Sequence, residues 1–189
     1  MQMNRGIIRI NAPVILVFTL ICFLAYCLNK ITSGFTNHLI FSVYRGSLAD
    51  PFFYLRLIAH VFGHADWAHF SGNIMYILLL GPLLEDKYGS WNMGVIIILT
   101  ALATGIFHVL FFPSGLLGAS GVVFAFIILS SISGMKDRKL PITFIIVVII
   151  FLGGQVIDGM FVRNNISNMT HILGGMIGGG CGYMLNNRK

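Results

Sequence analysis

Ser120 and His171 are the residues best suited to covalent chemistry, and each stands where an apolar run begins. Ser120 lies in Gly118-Ala119-Ser120-Gly121, after the loop Pro113-Ser-Gly-Leu-Leu and before the apolar stretch Val122 to Ser130. A hydroxyl at the first turn of a helix sits beside unpaired backbone N–H groups and the positive end of the helix dipole. That setting suits a nucleophile, and it equally suits an N-cap; on these four residues alone the cap is the simpler reading. His171 is followed by Gly174, Gly175, Gly178 and Gly179, with Gly182 beyond. Glycines 174, 178 and 182 make repeated G-x-x-x-G steps near the histidine's face, a strip along which another helix can approach backbone to backbone. If that partner carries Ser120, with Gly121 also clearing space, His171 reaches the hydroxyl and supplies the base a serine nucleophile needs. His69 and Asn73, spaced i and i+4, share a helix face. Both can donate to a developing oxyanion, together with the backbone N–H groups around Gly118 and Ser120. Taken singly, His171 could be bonded to a neighbouring carbonyl and Asn73 could glue two helices. Their common depth decides between these readings.

The elements that position them come from composition and hydropathy. The chain has 189 residues, 57% hydrophobic and only 10% charged, with a mean hydropathy of +0.88. Soluble domains carry about 25% charged residues, so this is an all-α, polytopic membrane protein, read here as a single domain over 1–189. Six apolar runs suit spanning helices, at about 12–28, 67–84, 91–112, 120–133, 140–157 and 168–185. The fourth is short and bounded by glycines, which predicts a start below the membrane surface. The first follows Arg5 and Arg9 but has a poor cleavage site, and is read as a retained helix. The long connection over 29–66 is amphiphilic and is expected to lie partly in the outer interface.

Basic residues set the orientation. Arg5, Arg9, Lys87, Lys136, Arg138, Lys139, Arg188 and Lys189 fall on one side, twice as many as Lys30, Arg45, Arg56 and Arg163 on the other. Both termini are therefore expected in the cytoplasm. The net charge of +6 is explained by these flanks, and no nucleic acid is implied. Cys22, Cys27 and Cys181 lie inside apolar runs and read as small hydrophobes.

With that orientation the second, fourth and sixth helices all enter from the outer side. Ser120, His171, His69 and Asn73 then fall in one layer, and polar residues inside spanning helices default to a functional site. His60 and His64, also i and i+4, raise a metal reading. No H-E-x-x-H motif, nearby cysteine or acid other than Asp66 supports it, so no metal and no cofactor is expected. His60 and His64 are expected to shape the loop's hydrogen bonding, and His38 and His108 to be incidental.

These residues resemble the rhomboid family of intramembrane serine proteases. The resemblance rests on G-x-S-G at Gly118 to Gly121, His171 before its glycines, and His69-x-x-x-Asn73. It extends to His60, His64, Arg56 and Glu85. It implies Ser120 as nucleophile, His171 as base, and His69, Asn73, Ser120 and Gly118 at the oxyanion. Gly121, Gly174 and Gly178 would pack the helices. Two positions depart from the family pattern. Leu55 stands where a tryptophan usually precedes the arginine, and Phe124 replaces the tyrosine that stacks on the histidine. The implied reaction is amide hydrolysis through an acyl-enzyme by a Ser-His dyad, on the spanning segments of other membrane proteins in the bilayer. The implied setting is a bacterial cytoplasmic membrane with the site opening outward. Access beside helix five, with Asp158 to Ser167 as a lid, is the family-like route; Asp158 has no clear claim to orient His171. The competing readings are an inactive rhomboid-like protein that binds membrane segments, and a proton channel. The channel is disfavoured because Asp and Glu occur only in or near connections.

Overall fold

The computed structural model describes residues 11–135, 139–161 and 165–187, with side chains over 11–135, 139–157 and 168–187. The described elements are helical, apart from one antiparallel bridge between Val43 and Leu116. They run α1 (Pro13–Ile31), α2 (Pro51–Ala59), α3 (Trp67–Tyr88), α4 (Ser90–Phe111), α5 (Ser120–Ile132), α6 (Ile142–Val147), α7 (Gly153–Phe161) and α8 (Asn165–Asn186). A π turn (Asn37–Phe41) precedes α2, a 3-10 turn (His60–Phe62) follows it, and a second π turn (Val148–Leu152) joins α6 to α7. The basic flanks 1–10, 136–138, 162–164 and 188–189 lie outside the described residues.

Helices α1, α3 and α4 are each long and apolar enough to cross a membrane. Their outer faces carry exposed Leu20, Leu24, Leu79, Leu83, Leu110 and Phe111, which suits lipid contact and would be a liability in water. Helix α5 is different. Val122, Val123, Ala125, Phe126, Ile127, Ile128, Leu129 and Ile132 are all buried, so it is apolar on every side because it has neighbours on every side. It contacts α3, α4, α6 and α8, and its pairing with α8 is the most extensive among the described elements. Its 13 residues span about 20 Å at 1.5 Å each, against a hydrocarbon core of ~30 Å. One end of α5 must therefore lie well inside the bilayer.

The fifth apolar run departs from expectation. It is read from sequence as one helix, but it folds as α6, a π turn and α7. Neither α6 nor the π turn has a buried residue. Its β-branched residues crowd the preceding turn, and little packing opposes a local unwinding into π geometry.

Two polar devices fix the rest of the bundle. Glu85, at the end of α3, accepts from Val14 N, Ile15 N and Ser90 Oγ at 3.0, 3.0 and 2.6 Å. A buried carboxylate thus satisfies the open N-terminus of α1, which has no side-chain cap of its own. Arg45, counted from sequence only as a topology charge, donates to the Val109 and Leu110 carbonyls at 2.8 and 2.6 Å and closes the end of α4.

The long first connection is built around Arg56, which is 3% exposed. It donates to Asp50 Oδ2 at 2.8 Å and to Leu39 O at 3.3 Å, and covers the Tyr44 ring at 4.4 Å. The guanidinium holds the Asp50 carboxyl below the usual carboxylate range, mainly through that hydrogen bond. Leu55, where the family resemblance expects a tryptophan, is exposed beside it.

Candidate active site

Ser120 is the first residue of α5, and the N-cap position belongs to Ala119, which offers no side-chain acceptor. The capping reading is corrected accordingly: the hydroxyl is not what closes this helix end. It is half-buried at the mouth of a short central helix, and the first-turn N–H groups there have no acceptor within the helix.

The loop before it is pinned from three sides. Val43 and Leu116 exchange two backbone hydrogen bonds, both 2.9 Å. His108 is buried, and its Nε2 donates to Ser114 O at 2.6 Å; it is not incidental, as the sequence suggested, but holds the loop down. The Gly118 N–H donates to His60 O at 2.9 Å. That bond corrects another expectation. With its N–H engaged, Gly118 is unavailable as an oxyanion donor. What Gly118 provides is shape: φ is +127°, and a Cβ there would stand 2.6 Å from His69 Nε2. Only glycine tolerates that conformation at no steric cost, and its bare face is what lets the His69 ring lie against the loop.

His69 sits in the first turn of α3, whose N-cap Asp66 accepts from His69 N at 2.8 Å. One turn on, Asn73 is buried, and its Nδ2 has no hydrogen-bond partner among the described residues. A buried amide donor without an acceptor is costly as a packing element. It is suited to an acceptor that arrives during a reaction. His60 bonds Arg56 O and Thr104 Oγ1 at 3.2 and 3.3 Å, and His64 bonds Phe62 O at 3.1 Å while its ring meets His69 edge-on at 5.1 Å. These two histidines shape the connection behind His69.

The approach of α8 to α5 depends on bare backbone. A Cβ on Gly174 would land on the carbonyl of Gly121, and one on Gly178 on the carbonyl of Ala125. At Gly121 a Cβ would press on Thr170 at 3.2 Å and on Thr104 at 3.4 Å. This close crossing brings the His171 ring flat onto Phe124, with centroids 4.2 Å apart and planes 3° from parallel. Phe124 is one helical turn after Ser120, on the same face. His171 is thus seated on α5 at a ring one turn along from Ser120, and both residues are half-buried. The phenyl ring stacks without a hydroxyl of its own.

Gln155 escaped the sequence reading. Its Oε1 lies 2.7 Å from His171 Nδ1. An acid is the usual partner that orients a histidine, whereas here the signal is a polar amide within the apolar fifth run. The Asp158 side chain lies outside the described residues, as do 162–164 and every side chain of the expected lid over 158–167.

Comparison with known proteins agrees with this architecture. A family model described as a rhomboid domain matches residues 52–188. GluP, a rhomboid protease of Bacillus subtilis, is 28% identical over 171 residues, which cover 86% of this chain and 32% of GluP. The rhomboid protease GlpG of Salmonella newport is 29% identical over 138 residues, covering 71% of this chain and 50% of GlpG. Rhomboid-related protein 1 of Caenorhabditis elegans is 29% identical over 140 residues, 69% of this chain and 39% of that protein. The chain thus spans half or less of the length of these relatives. The helix order, the G-x-S-G at the start of α5 and the family match converge: the chain is a polytopic, all-helical membrane protein, and it belongs to the rhomboid family.

Proposed function

We propose that this chain is an intramembrane serine endopeptidase that cuts the spanning segments of other membrane proteins through a Ser120–His171 dyad. The observation that carries the reading is the α5–α8 crossing, which stacks His171 on Phe124 one turn from Ser120. Ser120 Oγ attacks the scissile carbonyl carbon while His171 Nε2 takes the hydroxyl proton. The oxyanion forms against Asn73 Nδ2, the His69 ring N–H and the backbone N–H groups that open α5, the unpaired Asn73 amide being the strongest support for that assignment. His171 returns the proton to the leaving amine, and water then cleaves the acyl-enzyme by the reverse route. No metal or cofactor takes part.

Both termini face the cytoplasm, following the excess of basic residues on that side. The site opens to the outer face of a membrane, a bacterial cytoplasmic membrane by resemblance. Residues 1–189 act as one six-span membrane domain. A substrate helix must unwind to present a peptide bond, so segments containing Gly or Pro are preferred over uniform leucine helices.

The test is reconstitution with a Gly-containing test segment, comparing wild type with Ser120→Ala and His171→Ala. Cleavage by wild type and its loss in both variants is expected, because nucleophile and base work as a unit. The rate should fall on acidification as His171 takes up a proton. Cleavage persisting in Ser120→Ala overturns the mechanism, and an inert wild type points to a rhomboid-like protein that only binds membrane segments.

A further inference from the structure

The fifth segment presents to His171 a polar group that the dyad does not use. Gln155, on α7, is half-buried in an otherwise apolar stretch, with its Oε1 2.7 Å from His171 Nδ1. An amide oxygen carries no proton, so the hydrogen in that bond belongs to Nδ1. A neutral imidazole has only one N–H, which puts the lone pair on Nε2, at the opposite edge of the ring. The π turn (Val148–Leu152) ends three residues before Gln155. One residue inserted into a helix turns everything after it by about 100°, so the irregularity sets the face of α7 that carries Gln155. Leu152 at its end lies against Gly175 of α8, and Phe151 meets Phe124 at 6.2 Å, which seats the segment beside the base.

We propose that Gln155 is a positioning residue for the protease reaction, holding His171 in the Nδ1–H tautomer so that Nε2 is the base. This rests on the reading of Ser120 and His171 as the dyad. Through the cycle the Nδ1 proton stays in the bond to Gln155. The serine proton moves onto Nε2 and leaves with the amine, so protons balance without any transfer to the amide. A neutral acceptor orients the ring as a carboxylate would but adds no charge to it. Among described side chains, the titratable group that acts electrostatically on His171 is His69 of α3. Two described side chains that meet the ring, Phe124 of α5 and Gln155 of α7, are uncharged.

The test measures reconstituted wild type, Gln155→Leu and Gln155→Glu for kcat, KM, pH–rate profile and labelling by a fluorophosphonate. In Gln155→Leu, kcat is expected to fall about tenfold to a hundredfold, in line with loss of a group that orients a histidine, while KM stays unchanged. In Gln155→Glu the ring is still oriented, so kcat at high pH stays near wild type. Its acidic limb should move to higher pH by about 1 to 3 units, because an ionised partner favours the imidazolium. That shift reads orientation and charge at Nδ1, which a packing role does not move, and it remains measurable if leucine disturbs folding. Full activity in Gln155→Leu, or an unshifted limb in Gln155→Glu, overturns the role of Gln155 while leaving the protease reading intact. A wild type that neither cleaves nor takes up the probe overturns that reading, and this inference with it.

Discussion

His171 is gripped from two sides that are built in opposite ways. On the α5 side, helix backbones meet through glycines, and the Phe124 ring lies parallel to the imidazole at 4.2 Å. Almost every α5 side chain there is buried, so nothing in that seam can shift without displacing a neighbour. On the other side stands the fifth segment, with no buried residue in α6 or its π turn, and with Ile142, Ile149 and Ile150 exposed by 68%, 65% and 62%. It reaches the imidazole with one amide oxygen. The contrast teaches a division of labour. Tight packing sets where the imidazole stands, and a directional bond from a loosely packed neighbour sets how the ring is turned.

Glycine substitutions on α8 should break the comparison most severely. Gly178→Leu drives a side chain into the Ala125 carbonyl, and is expected to abolish cleavage and cost about 3 kcal/mol or more. Gly180→Leu, on the same helix with nothing within 4 Å of its Cβ, should leave both intact. Thermal unfolding in detergent and cleavage rates check the pair, and equal effects would deny that close approach matters.

Next in size is Asn73→Ala. Loss of one oxyanion donor is expected to lower kcat about tenfold to a thousandfold with the fold retained. A rate equal to wild type, with stability reduced, would return Asn73 to a structural bond between helices.

The smallest effects sharpen the contrast in packing. Ile128→Ala, deep in α5 at 1% exposure, is expected to cost about 2 to 5 kcal/mol. Ile149→Ala, facing outward from the π turn, should change stability by less than about 0.5 kcal/mol. Unfolding midpoints measured under one set of conditions decide it, and similar losses at both sites would contradict a loosely held fifth segment.

The expectation that residues of the second, fourth and sixth apolar runs meet follows from a discrete property. Helix parity puts the starts of alternate helices on one side of the membrane, so errors of several residues in the boundaries do not change which residues meet. The glycines 174, 178 and 182 were legible for a similar reason, since a four-residue spacing admits one helix face. What escaped was set by three-dimensional contact. Gly118 is attractive as a donor in one dimension, but its N–H is claimed by His60, more than fifty positions away. His108 appeared idle until the loop folded back to place Ser114 O against it. Gln155 was overlooked because a lone amide in an apolar run does not say that it faces a histidine sixteen residues on. The π turn that aims it has no sequence signature of its own.

In the proposed mechanism the α5–α8 seam makes His171 the base that activates Ser120. Fluorophosphonate labelling measures this most directly, since the probe reacts with an activated serine and needs no substrate to find the site. Wild type should be labelled at Ser120, as located by peptide mass analysis, and His171→Ala should not, although its Ser120 is untouched. Equal labelling of Ser120 in His171→Ala would contradict the account.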